Sequence, residues 1–586
     1  MEQKLFEKIN IVRNKKAYAL ATGILFPVLI LLFCFIKVNQ GADISDSTYS
    51  LTNFMFIDGM DLMWYTPTAL TNFVGSLLVK LPLGNTLLMM NVYTGVFKAV
   101  TALVAYFFFT KTVKADRELA FAGAIAAVGL CWCPTTILYN YLTYLFFLLG
   151  AVLLYKGIVK AKNSYFLLAG FCLGLNVFVR FANLSQAALI VVLWAYCLIE
   201  DKTFKESFFK TLYCVGGYIL GIIPGLIVVW ATRGFGSIYT GISQLFTMSG
   251  EVDSYSITGM IYATLRTYMD TWPWMEITFF MLVVSMLAFL VFPTKLTWVR
   301  YLLGTIVAGG FSFFLFKRGL FTRDYSSYSS IHRFGALILV IMIIWFVIHA
   351  LNRKAPFEER ILSFMGVVII AVTPLGSNND IYANLNNMFF VFPLFFFLLV
   401  RFVKSNEYLR GIRWSVLLLT MLFVMQSVLF GFEFTFRDGT YDEKRTAEIT
   451  GIPAARGMMT TAAHKKELET FMKVWNQRDL GGAGIILYGE VSGLGFYVSE
   501  TPAINTAWPS LPSYSESKFE AEMTALDERI GQGADAVPPI VISNVEYDAV
   551  LNNPETKKQK ILNEFIAKYN YEEIYCGDRF TVFAAE

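Results

Sequence analysis

The sequence predicts a polytopic α-helical membrane protein of about 13 transmembrane helices, closed by a small C-terminal α/β domain. Three observations carry this reading. The 586 residues are 56% hydrophobic and only 16% charged, where soluble domains run nearer 25% charged. The mean hydropathy is +0.54, which excludes an ordinary cytosolic enzyme. Long apolar runs recur along the chain up to about residue 431 and then stop.

A bilayer-spanning helix needs roughly 20 mostly apolar residues. Segments of that kind lie near 17–38, 87–110, 119–134, 138–155, 164–180, 185–199, 211–232, 275–292, 300–316, 334–351, 361–376, 388–403 and 413–431. The first follows a basic, polar start (MEQKLFEKINIVRNKK), and no small-residue cleavage site follows it. It reads as a retained helix and not a signal peptide. With the N-terminus placed in the cytoplasm, the inner loops hold 23 Lys and Arg and the outer loops nine. The excess of basic residues on the cytoplasmic side supports this orientation. An odd number of helices then puts residues 432–586 outside. That segment has 15 basic and 24 acidic residues, a net of −9. The whole chain carries only +4, too little to suggest a nucleic-acid partner.

The expected division is therefore a transmembrane module at 1–431, with a long outer loop at 39–86, and a soluble outer domain at 432–586. Within the latter, helical patterns cover 464–477, 515–530 and 556–569. Strand patterns cover 484–489, 538–543, 572–576 and 579–584. This alternation predicts a small three-layer α/β domain. The GGAG at 481–484 precedes its first strand, the wrong way round for a dinucleotide loop. Of seven cysteines only Cys576 falls here, so the domain has no internal disulfide. The long loops and the soluble domain all face one side, and function is expected there.

The candidate chemical groups gather on that side. Asp43 and Asp46 follow the first helix at the membrane–water boundary, where a carboxylate can act as a general base or cap a helix starting near Thr48. Arg180 ends the apolar stretch GLNVFVRFANL. It either snorkels to the interface or holds a phosphate, for which the planar guanidinium is well shaped. Arg323, His332 and Arg333 form a second outer basic group. Lys98 sits in mid-span, where an ammonium is costly and faces a wet cavity or a buried partner. Asn140 and Tyr144, in PTTILYNYLTY, are either site residues or part of an interfacial aromatic belt.

Several stretches resemble one family. Asp46-Ser47-Thr48-Tyr49 is similar to its acidic first-loop motif, in which a tyrosine closely follows. The second acid often adjacent in that motif is Ser47 here. PTTILYNYLTYLFFLLG (134–150) looks like the family's second outer loop, LLAGFCLGLNVFVRFANL (167–184) like its glycine-spaced helix ending in a basic residue, and IILYGEVSGLGFYVSETPAINTAWPSL (485–511) like the outer domains of bacterial members. The family is the C superfamily of glycosyltransferases (GT-C fold), bacterial type, whose membrane enzymes take a sugar from a polyprenyl-phosphate donor.

The resemblance implies inverting transfer to an acceptor on the outer face of a bacterial plasma membrane, the acceptor being an envelope glycan, lipid or protein. Asp46 is then the base, with Asp43 as a second carboxylate. Arg180, Arg323, His332, Arg333, Lys98, Tyr49, Asn140 and Tyr144 are the substrate-binding candidates. A divalent cation, Mg or Mn, is used by some members and not by others, so metal dependence stays open. Two alternatives remain beside it: a transporter or flippase of a lipid-linked envelope substrate, and a non-catalytic scaffold for envelope assembly.

Overall fold

The computed structural model describes residues 15–251, 257–291, 296–376, 379–405, 410–440 and 442–585. Lys4, Lys8, Arg13 and Lys295, counted in the charge bias, lie outside them. Each of the 13 apolar segments is helical. They are α1 (Lys16–Phe35), α4 (Leu87–Phe107), α5 (Arg117–Leu130), α6 (Leu138–Lys160), α7 (Asn163–Leu175), α8 (Val192–Ile199), α9 (Phe204–Arg233), α12 (Trp272–Val291), α13 (Thr297–Lys317), α14 (His332–Leu351), α15 (Phe357–Val372), α16 (Val391–Ser405) and α17 (Arg410–Glu433). Leu138–Lys160 and Phe204–Arg233, at 23 and 30 residues, span with length to spare. A 3₁₀ turn precedes α8 and extends it back to Phe181.

By length and composition, nine of these helices can cross a membrane among the described residues. The chain is a multi-pass membrane protein, but the expected count of 13 is not reached on length. The helices that fall short are α5, α7, α15 and α16, with 14, 13, 16 and 15 residues. Their ends run into irregular backbone, which hydrocarbon tolerates only where other protein covers it. Packing supplies that cover. A Cβ on Gly123 of α5 would stand 2.6 Å from the Pro393 backbone of α16. Along α7 and α9, Gly170, Gly174, Gly217 and Gly221 let the two backbones touch, and a Cβ on Gly170 would lie 1.8 Å from the Cys214 carbonyl. Close approach through small residues is how helices associate where no hydrophobic force separates them from lipid.

The soluble domain follows the expected elements closely. Its main sheet runs β3 (Ile486–Tyr488), β4 (Ile540–Ser543), β6 (Phe580–Ala585), β5 (Tyr571–Cys576) across the sheet. β3 and β4 are parallel, and the other neighbours are antiparallel. Period-two side chains divide the faces. Ile486, Tyr488, Ile540 and Ile542 pack with α19 (Glu516–Gly531) and α20 (Lys557–Lys568). Leu487, Val541, Phe580 and Val582 pack with Phe471 and Trp475 of α18 (Ala462–Gln477). The domain is thus three-layered. A short antiparallel ladder, β1 (Ala447–Glu448) with β2 (Met459–Thr460), was not expected.

Loop 39–86 contains α2 (Asp46–Met55) and α3 (Ala69–Val79), and it belongs to the second of these faces. Ala42, Ile44, Leu51 and Phe54 share one buried cluster with Leu487, Val541 and Phe580. The second long loop forms α10 (Gly236–Glu251), which packs on α9 and on residues 62–68 of the first loop, and α11 (Ile257–Asp270), which packs on α12 and α14.

Candidate active site

The turn leading into α2 is fixed from several directions. Asp43 is 4% exposed. One carboxylate oxygen accepts from the Ser45 amide and hydroxyl at 2.9 and 2.6 Å, the other from the Ser47 amide at 2.8 Å. Asp43 therefore does the work of a helix cap. The soluble domain grips the same turn. Tyr497 Oη donates to the Asp43 carbonyl at 3.0 Å and the Gly493 amide to the Ile44 carbonyl at 2.8 Å.

Asp46 takes the free position. Its side chain is about a third exposed (34%), facing Arg437 Nη1 at 3.5 Å; that guanidinium also reaches Glu490 at 3.2 Å and the Ser45 hydroxyl at 3.0 Å. Burial pushes the Asp46 carboxyl up to about 6, with Arg437 opposing and Asp43 and Glu490 reinforcing the rise. The exposed edge and the enclosure act in opposite senses, and the enclosure sets the direction. Arg437 adopts φ +46°, a left-handed conformation uncommon outside glycine. The residue after it anchors it. Asp438 is fully buried and accepts from His464 Nδ1 at 2.6 Å, the Thr460 hydroxyl at 2.7 Å and the Ala42 amide at 3.2 Å. Burial raises the Asp438 carboxyl, but these bonds outweigh it and hold it below the usual range.

A cavity of about 150 Å³ lies below this turn. Asp43, Ser47, Lys37, Lys98, Asn91 and Trp132 are among the residues lining it. Lys98 has no carboxylate within ion-pair distance among the described residues. A wider cleft of about 1010 Å³ adjoins it through Ile36, Lys37 and Gln40. Phe316, Leu422, Met425, Leu429 and Phe432 make its apolar side, and Arg323, Lys444 and Arg445 stand on its polar side. No group of three His, Cys, Asp or Glu side chains suited to a metal ion occurs among the described residues. Asp43 spends both oxygens on local donors and Asp46 faces a guanidinium, so these carboxylates do not form a ligand set for a hard cation, which wants several oxygens.

The sequence candidates are thus only partly brought together. Asp43 and Lys98 line the cavity, and Asp46, on the same turn as Asp43, faces Arg437 instead of the lining. Tyr49 stands near Asp46, edge-on to Trp508 at 5.5 Å. Asn140 donates to Cys133 Sγ at 3.2 Å. Tyr144 is buried edge-on to Tyr141 at 5.7 Å. Arg180 does not line the cavity; it lies over the Tyr139 ring at 5.2 Å, though both it and Asp46 are within electrostatic reach of the Cys133 thiol. The group Arg323, His332 and Arg333 does not converge. Arg323 enters the wide cleft and His332 faces Asp380 at 3.4 Å. Arg333 is exposed over Trp274 at 5.4 Å. One helical turn points neighbouring residues to different sides, so closeness in sequence did not give a common site.

The residues that sequence reasoning missed are Arg437, Glu490 and Lys37. Arg437 sits in FTFRDG, just past the last apolar run, and reads there as one charge of a soluble domain. The available signal was position: a basic residue at the junction of bundle and domain is placed to reach the mouth of the bundle.

No family model matches this sequence, and no curated protein matches it. Solved structures similar to it exist. The oligosaccharyltransferase of Archaeoglobus fulgidus in the apo form aligns over 98% of this chain and 75% of its own, at 11% identity and a TM-score of 0.47. ArnT from Cupriavidus metallidurans bound to undecaprenyl phosphate aligns over 96% of this chain and 98% of its own, at 11% identity and a TM-score of 0.42. The archaeal oligosaccharyltransferase AglB from Archaeoglobus fulgidus, in complex with an inhibitory peptide and a dolichol-phosphate, aligns over 94% and 72%, at 11% identity and 0.43. At such scores the likeness is one of overall form, and no residue role is carried over from it.

Proposed function

We propose that this chain is a membrane glycosyltransferase that moves a sugar from a polyprenyl-phosphate donor to an acceptor on the outer face of the membrane, with Asp46 as base. The observation that supports it most is the half-buried Asp46 carboxylate on the same turn as Asp43 and Ser47, which line a cavity whose wall also carries Lys98 and Lys37. The acceptor hydroxyl attacks the anomeric carbon as the bond from that carbon to the phosphate oxygen breaks. The hydroxyl proton passes to Asp46, and the electron pair leaves with the polyprenyl phosphate. Direct displacement inverts the anomeric centre. Lysine ammonium groups held in place before reaction favour the growing charge on the leaving phosphate. The polyprenyl chain lies in the wide cleft, along Phe316, Leu422 and Leu429, with Arg323 at its polar edge. Arg180, outside the cavity over the Tyr139 ring, is left for the acceptor, and Arg333 takes no part. A carboxyl titrating near 6 is a better base than an ordinary one and is still mostly ionised at neutral pH.

Asp46→Asn keeps the shape of the side chain and removes the base. Transfer from a phosphoryl-undecaprenol sugar should fall by at least ~10²-fold, with thermal stability retained. Near-normal release of undecaprenyl phosphate by a well-folded Asp46→Asn protein refutes the assignment. Movement of labelled lipid between leaflets without its consumption supports a flippase instead.

A further inference from the structure

Beside the Asp46–Arg437 pair is a cluster of rings that the reaction above leaves unused. Trp132, between α5 and α6, stacks on Tyr328 at 4.6 Å with planes 20° apart. Phe436 is nearly parallel to both, at 6.1 Å from Trp132 and 6.4 Å from Tyr328. Trp132 and Tyr328 therefore lie face to face, and Phe436 sits beside the pair, parallel to both. Tyr382 stands edge-on to Trp132 and Tyr328 at 5.9 and 5.1 Å, and His332 lies on Tyr382 at 4.3 Å.

The cluster is tied to the site at both ends. Trp132 and Phe436 line the cavity that also holds Lys98 and Asp43. Arg437, the partner of Asp46, lies over Phe436 at 5.5 Å. The Trp132 indole N–H is buried with no hydrogen-bond partner among the described residues. Leaving such a donor unpaired is costly, and an indole can only donate. A wall of aromatic rings with a few placed polar groups is the usual make-up of a small-molecule pocket.

Resting on the proposed function, we propose that Trp132, backed by Tyr328 and flanked by Phe436, is the binding platform for the pyranose ring of the donor sugar, which lies on the Trp132 face turned from Tyr328. The C–H face of a pyranose is weakly positive and apolar, and it stacks on the negative face of an aromatic ring. Its hydroxyls lie at the rim, where one accepts from the Trp132 indole. His332 and Asp380 stand beyond Tyr382 for a hydroxyl at the far side. The placement fits the chemistry, because the sugar must lie between the departing phosphate at Lys98 and the base at Asp46.

The test uses the full-length protein in detergent and two kinds of probe: undecaprenyl phosphate alone, and phosphoryl-undecaprenol carrying glucose, galactose or mannose. The wild type should bind at least one sugar-bearing lipid more tightly than the bare one. Trp132→Leu should lose that preference, roughly tenfold in Kd, while its affinity for undecaprenyl phosphate stays as in the wild type. Trp132→Phe, which keeps a ring and loses the N–H, should fall between. The unchanged binding of the bare lipid certifies that the variant is folded. If the wild type binds undecaprenyl phosphate but shows no preference for any sugar-bearing lipid, the platform is refuted and the lipid site stands. If Trp132→Leu keeps the full preference, or loses both affinities equally, the platform is likewise refuted. If the wild type binds none of these lipids, the proposed function itself falls.

Discussion

The pH dependence of transfer follows from the environment of Asp46. With its carboxyl near 6, about 90% is ionised at pH 7 and about 10% at pH 5. If the ionised form is the base, kcat/KM falls roughly tenfold between pH 7 and pH 5. An ordinary Asp, titrating near 3.9, would hold the rate nearly flat across that range. The sugar-bearing phosphodiester does not titrate there, so the inflection belongs to the protein or the acceptor. Arg437 separates these. Its guanidinium opposes the rise in the Asp46 pKa, so Arg437→Met should move the inflection to higher pH and lower the rate at pH 7. The assay is release of undecaprenyl phosphate from a phosphoryl-undecaprenol sugar between pH 5 and 8.5, for both proteins. A profile flat to pH 5, or an inflection that stays put when Arg437 is removed, refutes the reasoning.

Two further outcomes are open to direct measurement. Gly493→Ala places a methyl group 1.8 Å from the Thr48 hydroxyl, on the turn that aims Asp46; it should lower stability by ~1–3 kcal/mol and reduce transfer, read by thermal unfolding and activity together. Lys98→Met removes an ammonium from mid-membrane. It should leave stability unchanged or raise it by ~1–2 kcal/mol while weakening the binding of undecaprenyl phosphate, and tighter binding would show that Lys98 does not serve the phosphate.

What could be read from the sequence was what periodicity controls. The apolar segments all became helices, and the strand and helix patterns of residues 464–584 recur within a residue or two. Hydropathy measures a stretch's apolar character but not how far its helix runs, so α5 and α7 are shorter than the stretches that announced them. The two first-loop acids were legible as candidates, but not their division of labour. That depends on the Ser45 and Ser47 amides closing on Asp43 and leaving Asp46 outward, which is a property of the turn. Trp132 was passed over because C-W-C-P at the end of an apolar run reads as core. Tyr328 and Phe436, its partners, lie roughly 200 and 300 residues further on, a separation no local pattern spans.

The soluble domain has its place in the same geometry. A loop of nearly fifty residues between two spans has no core of its own, and a carboxylate on it would wander. Here the stretch from Ala42 to Ile44 is held by Asp438, Tyr497 and Gly493. Asp61, further along the loop, pairs with Lys518. Every one of those contacts is made by residues that follow the last span. The buried face of the sheet completes the hold through Leu51 and Phe54. The domain therefore works as the rigid backing of the first loop, and through Arg437 it also supplies the charge that tunes Asp46. Precise placement of a base within a fraction of an ångström needs such backing. That is a physical reason for the tail to pack against the loop beside the bundle's mouth instead of hanging free of it.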